Sequence, residues 1–162
     1  MHTLIPQALT PEAFAPYGEV IDSRDRDYFL INGGRCRRYH RLASVELVDG
    51  GRPVISIFRT EPVRLPLRLT LVERHPLGSQ AFVPLHRQPY LVVVAPPGEP
   101  PAPRSLRAFW VRGGEGVNYR AGTWHHPLLA LEPGGDFLVV DREGPGANCD
   151  ELPLDEVWLR EA

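Results

Sequence analysis

The chain has 162 residues, 43% of them hydrophobic, and a formal net charge of -2, which suits one ordinary domain spanning 1–162 with a real core. A near-neutral chain with no basic block offers no electrostatic footprint for nucleic acid, and its apolar runs are too short to span a bilayer as helices. All 18 basic residues are Arg, so chemistry that needs a lysine Schiff base is excluded.

In chain order, Thr10-Pro11-Glu12-Ala13-Phe14 reads as a short helix with Thr10 as N-cap and Pro11 at its first position. Pro16 and Gly18 stop it early. Gly33-Gly34 and Gly50-Gly51-Arg52-Pro53 read as turns, and β-rich runs follow at 54–58, 67–72, 81–85, 90–95, 106–111, 116–119, 125–131 and 136–141. The proline-rich stretch 96–103 is expected to be a surface loop, because strands resume directly on both sides of it. Pro 18 and Gly 15 are spread along the whole chain, as turn punctuation in an all-β protein would be. The fold class is therefore all-β, a β-barrel or jelly roll with a few short helices. Cys36 and Cys149 lie far apart and in no metal-ligand spacing, and the N-terminus lacks the charged start and apolar core of a signal peptide, so free thiols in a cytoplasmic protein are expected.

Chemistry concentrates in two stretches. Apolar residues recur at every second position from Leu67 to Leu71, and the same parity turns Glu73 and His75 inward and Arg74 outward. Far downstream, Gly114, Arg120, Gly122 and His125 have spacing that resembles the second motif of the cupin superfamily, with Arg120 where that motif usually has Pro. Glu73, His75 and Gln80 stand where the first cupin motif carries His, His and Glu.

Over its length the chain resembles the ureidoglycolate lyase family. The stretches that carry this are Asp27-Tyr28-Phe29 with Ile31-Asn32-Gly33, Arg38-Tyr39-His40, Glu73-Arg74-His75-Pro76-Leu77-Gly78 with Gln80-Ala81-Phe82, Gly116-Val117-Asn118-Tyr119, Trp124-His125-His126-Pro127-Leu128, Asp136-Phe137-Leu138 and Asn148-Cys149-Asp150. The resemblance implies a homodimeric cupin that splits (S)-ureidoglycolate into urea and glyoxylate. It also favours nickel, if the site holds a metal.

That reaction asks for a base at the carbinol hydroxyl and an acid at the departing nitrogen. Imidazole, with an ordinary pKa of about 6.5, suits both roles near neutrality, which makes His75 and His125 the acid–base candidates. Glu73 is a candidate base or a partner that fixes an imidazole tautomer. The substrate carboxylate calls for a guanidinium fork, with Arg59, Arg107 and Arg120 as the candidates and Arg74 set aside by its outward parity. Gln80 and Tyr119 are candidate hydrogen-bonding partners of the substrate. Glu73, His75 and His125, with Gln80 as a weak fourth, would also suit a divalent ion, and a metal-free acid–base site is equally consistent with the sequence. Two other readings use the same fold: a non-catalytic cupin module that binds a small carboxylate, and a metal-dependent dioxygenase. The first needs no paired acid–base residues, and the second needs an intact metal set.

Overall fold

The chain is almost entirely β-structure in a computed structural model that describes residues 1–161. The elements are β1 (His2–Leu4), β2 (Gln7–Ala8), α1 (Pro11–Phe14), β3 (Gly18–Ile21), β4 (Phe29–Ile31), β5 (Cys36–Arg38), β6 (Arg52–Thr60), β7 (Leu67–Arg74), β8 (Gln80–Pro84) and β9 (Tyr90–Ala95). They continue as β10 (Arg107–Val111), β11 (Gly116–Tyr119), β12 (Trp124–His125), β13 (Leu129–Ala130), β14 (Gly135–Glu143) and β15 (Asp150–Leu159). The larger sheet runs β1-β15-β7-β12-β9-β10-β2 with β13 beside β9, and the smaller runs β3-β11-β8-β14-β6. Strands β4 and β5 form a separate hairpin. The curled larger sheet and the smaller one give a cupin-like half-barrel, as the run of short strands predicts. No described helix is long and apolar enough to cross a membrane.

Burial explains why β9 is an unbroken apolar run. Its alternate residues Tyr90, Val92 and Val94 enter the core between the sheets with Phe109, Val117 and Phe137. Leu91, Val93 and Ala95 face the other way, into a second core with Ala108, Trp124 and Val157. A strand covered on both faces has no polar side to show. The short helix forms as predicted: the Ala13 N–H donates to Thr10 Oγ1 at 3.1 Å. It sets Phe14, fully buried, edge-on to Phe109 with centroids 5.6 Å apart.

Several boundaries differ from the expectation for physical reasons. The run at 125–131 is split into β12 and β13 around Pro127, which has no N–H to donate to a ladder. Pro53, read as part of a turn, lies inside β6, and it is tolerated there because β6 is the edge of the smaller sheet. Strand β15, with Pro153 inside it, gives no strand signal in the sequence, and its pairing with β7 shifts register between Pro153 and Val157. Next to that irregularity, Leu69 and Val72 are both fully buried although three residues apart, so strict alternation fails within β7. Glu73 points inward as expected, but not on the face of Leu67 and Leu69, which belong to the second core. Glu73 faces β12, and Arg74 lies over the Trp124 ring at 4.7 Å on the opposite side.

Candidate active site

Strand pairing brings the two distant stretches together. His125 is the direct cross-strand partner of Glu73, and His75 sits just beyond the end of β7. The turn before β12 needs Gly122, whose φ of 82° lies in the left-handed region. The Gly122 N–H donates to the His75 carbonyl at 2.9 Å, which ties the segment carrying one imidazole to the segment carrying the other. The two rings lie 5.1 Å apart.

The hydrogen bonds fix what each ring presents. His75 Nδ1 is 2.7 Å from the Asn148 carbonyl, and His125 Nδ1 is 2.9 Å from the Thr123 carbonyl. A carbonyl oxygen only accepts, so both Nδ1 atoms carry the proton and each neutral ring keeps a lone pair on Nε2. Both Nε2 atoms are buried, without a hydrogen-bond partner among the described residues. They point at the same Glu73 oxygen, Oε1, from 3.9 Å and 3.6 Å. Three acceptors thus converge with no donor between them. Backbone carbonyls set the tautomers, so Glu73 is left free of that task.

The surroundings tune these groups. Glu73 is held below the usual carboxylate range, chiefly because a protonated His125 would donate to it, against the opposing effect of its own partial burial. The Tyr119 ring stacks on His125 with centroids 4.5 Å apart and planes 23° apart. Its hydroxyl is buried and unpartnered among the described residues. Burial, with a smaller push from Glu73, raises the phenol far above its ordinary pKa, so it stays neutral. Gln80 donates through Nε2 to Asp141 Oδ2 at 3.1 Å. A carboxylate has nothing to donate, so this contact fixes the amide orientation and leaves Oε1 as a buried free acceptor. His126 turns aside to the Pro127 carbonyl, and burial lowers its pKa.

Glu73, Gln80 and His125 open onto a cavity of about 380 Å³, walled by Phe58, Phe82 and Leu128. The arginines are placed differently from the expectation. Arg59 does reach the rim, but Asp136 engages it through two hydrogen bonds of 2.9 and 3.0 Å. Arg107 shares a register row with Val94 and His125 but stands two strands from His125, and its guanidinium donates to the Arg104 and Leu106 carbonyls. Arg120 lies beyond the end of β11 and donates to the Ala15 and Pro16 carbonyls. Arg107 and Arg120 therefore do not line this cavity. Arg74, as expected, is engaged elsewhere, on Asp150 and the Gly98 carbonyl.

The donor set suits a divalent ion. One atom each from Glu73, His75 and His125 lie within 4.8 Å of one another. Ligands bonded at about 2.0–2.2 Å to one ion stand roughly 3–3.6 Å apart, close to the separations seen here. Hydrogen bonds of the imidazole Nδ1 atoms to carbonyls orient such ligands. Gln80 Oε1 is the free amide oxygen that a weak fourth ligand would require. Glu73, Cys149 and Glu151 form a second grouping. There, partial burial and nearby carboxylates raise the thiol pKa and so disfavour the thiolate a metal would need.

Three supporting residues escaped the sequence reading. Asn148 holds both His75 and, through Oδ1, the Leu77 N–H at 2.8 Å. It sits in a loop 73 residues downstream of His75, and although the Asn148-Cys149-Asp150 stretch carries part of the family resemblance, nothing local gives Asn148 this role. Thr123 acts only through its carbonyl. Asp141 was within reach, because parity along the 136–141 run places it on the face of Phe137 and Val139.

A family model described as ureidoglycolate lyase matches residues 1–161. The chain is 56% identical over 152 residues to the ureidoglycolate lyase of Pseudomonas paraeruginosa (strain DSM 24068 / PA7), covering 93% of this chain and 90% of that one. It is 53% identical over 152 residues to the ureidoglycolate lyase of Azotobacter vinelandii (strain DJ / ATCC BAA-1303), covering 93% and 92%. Among solved structures, a dTDP sugar isomerase from Desulfovibrio desulfuricans G20 aligns at 17% identity and a TM-score of 0.47, over 87% of this chain and 88% of that chain.

Proposed function

The chain belongs to the ureidoglycolate lyase family, and from that premise we propose that it cleaves (S)-ureidoglycolate to urea and glyoxylate at Glu73, His75 and His125. The observation that carries this reading is the convergence of two imidazole lone pairs and one carboxylate, with no donor among them, at the wall of a cavity. Such a cluster is made to receive a cation or a proton.

We propose that it holds a divalent cation through Glu73, His75 and His125, with nickel favoured by the family resemblance. A bound cation would lower the pKa of the carbinol hydroxyl. Glu73 is held below the usual carboxylate range, so it stays ionised and able to accept a proton. A Glu73 oxygen then takes the hydroxyl proton as the glyoxylate carbonyl forms. The same oxygen returns the proton to the departing nitrogen, which is attached to the same carbon. The proton count is unchanged and no water is consumed. His75 and His125 act by holding the cluster together, a role their fixed tautomers suit.

Gln80 Oε1 accepts an N–H of the ureido group, since the bond from its Nε2 to Asp141 fixes the amide with the oxygen turned away from Asp141. The neutral Tyr119 hydroxyl donates to the polar end of the substrate, and Phe58, Phe82 and Leu128 keep water from the breaking bond. The enzyme works as a homodimer in the cytoplasm. Pairing across sheet edges such as β6 would cover the apolar side chains exposed there. The test is to incubate purified protein with ureidoglycolate and measure products. Urea with glyoxylate supports the proposal; ammonia with carbon dioxide, or no turnover, would overturn it.

A further inference from the structure

The cavity at Glu73 is rich in carboxylates and poor in free cations. Glu61 and Glu73 line it and Asp141 stands behind Gln80, while Arg59 at the rim is paired with Asp136 along its Nε–Nη2 edge, which balances its charge. An anionic substrate calls for a guanidinium whose charge is not already balanced, and Arg59, the arginine lining this cavity, is neutralised by Asp136.

A complementary surplus lies in the β4–β5 hairpin. Tyr28, Phe29 and Leu30 are 47%, 49% and 59% exposed, and an isolated two-stranded hairpin is marginal in water. Arg37 lies over Tyr28 at 4.8 Å and Arg38 over Phe29 at 5.9 Å; among the described residues neither meets a carboxylate. The hairpin has two unlike faces. Tyr28 packs on Tyr39, and Tyr39 looks back into a cleft with Pro84 and His86 of its own barrel. Phe29, cross-strand partner of Arg38, lies on the other face with His40.

A seat for a second copy exists beside the cavity. On the outer face of edge strand β6, Ile55 and Ile57 are 73% and 53% exposed, opposite Val140 and Leu138 of β14. The inner face of the same strand carries Phe58, 40% exposed and packed on Phe82 at the cavity wall. A partner on the outer face is thus one strand's width from the rim.

We propose that the hairpin of one copy crosses the rim of its partner's cavity, sets Phe29 against Phe58, and delivers Arg38 as the fork that grips the substrate carboxylate. The acidic rim and the basic arm match in charge, and the apolar seat holds the pair. This inference rests on the lyase and homodimer readings above.

Two experiments separate its failure from theirs. Arg38→Ala lowers kcat/KM on the order of a hundredfold, the loss expected for a pair of charge-assisted hydrogen bonds, and Arg38→Lys restores little of it. His125→Ala is inactive for its own reason. Heterodimers carrying one chain of each, isolated with two tags, should regain about half of wild-type activity, because one of the two sites then has both His125 and an intact partner arm. Heterodimers as inactive as their parents would overturn the proposal. Independently of turnover, chains bearing Arg38→Cys and Glu61→Cys, both in a Cys36→Ser and Cys149→Ser background, should cross-link to each other under mild oxidation. A dimer that forms no such cross-link would overturn the arm's placement even if the lyase activity stands, and a cross-link would support it even if the substrate proved different.

Discussion

Glu73 and His125 are cross-strand partners 52 positions apart in the chain, and the 3.6 Å between Glu73 Oε1 and His125 Nε2 is too long for a hydrogen bond. With His75 Nε2 at 3.9 Å from the same oxygen, the gap is one that a single ion would close. Chelation followed by desalting should therefore abolish turnover, and added Ni²⁺, Mn²⁺ or Zn²⁺ should restore it. Elemental analysis of the active protein should find about one ion per chain. Full activity in metal-free protein would refute the cation.

His75→Ala and His125→Ala should each lower kcat by about two to four orders of magnitude, the range for losing a group at the reacting centre. Both variants should also lose the bound ion. Retained turnover in folded variants would place the site elsewhere.

Tyr119→Phe should separate activity from stability. The hydroxyl is buried with no partner among the described residues, so removing it relieves an unpaired polar group and should leave the melting temperature unchanged or higher. Turnover should fall about tenfold or more through the lost donor. A variant that melts lower and turns over normally would make Tyr119 a packing residue only.

Asp141→Asn should act through Gln80. The substituted side chain carries donors of its own, so it would no longer force the Gln80 amide to point Nε2 toward it, and the acceptor facing the ureido group would be lost part of the time. The expected result is a rise in KM of several-fold with a smaller change in kcat. Gln80→Leu, which removes the acceptor altogether, should raise KM at least as far.

Light scattering at micromolar concentration should give about twice the 18.2 kDa chain mass. A monomer would remove the basis for edge pairing through β6.

The parts of the site legible in the sequence are the two stretches around Glu73 and His125. Glu73 does point to the site and Arg74 away from it, but alternation counted from Leu67 and Leu69 does not produce this, because those two residues share the second core with Trp124 and the parity breaks before Glu73. Resemblance of the two stretches to the paired motifs of the cupin superfamily is what links this region with His125. What periodicity cannot supply is long-range. Nearness along the chain to the site strands ranks the arginines poorly, because a guanidinium reaches far enough to bond a carbonyl on another element, as Arg120 does on Ala15. Asn148 and the N-terminal strands are likewise fixed by partners distant in sequence. The all-β class is readable from turn spacing, whereas β15 is hidden by Pro153 because its tolerance depends on a register shift against β7.

Strand β12 is only two residues long, and it is held between β7 and β9, the latter buried along its whole length. His125 thus borrows its rigidity from neighbours that open only when the barrel opens. Its amide should exchange with solvent deuterium at the rate of global unfolding rather than through a local fluctuation. The reacting centre and the fold would then have one melting point, with no intermediate state in which the barrel survives and the imidazole has come loose.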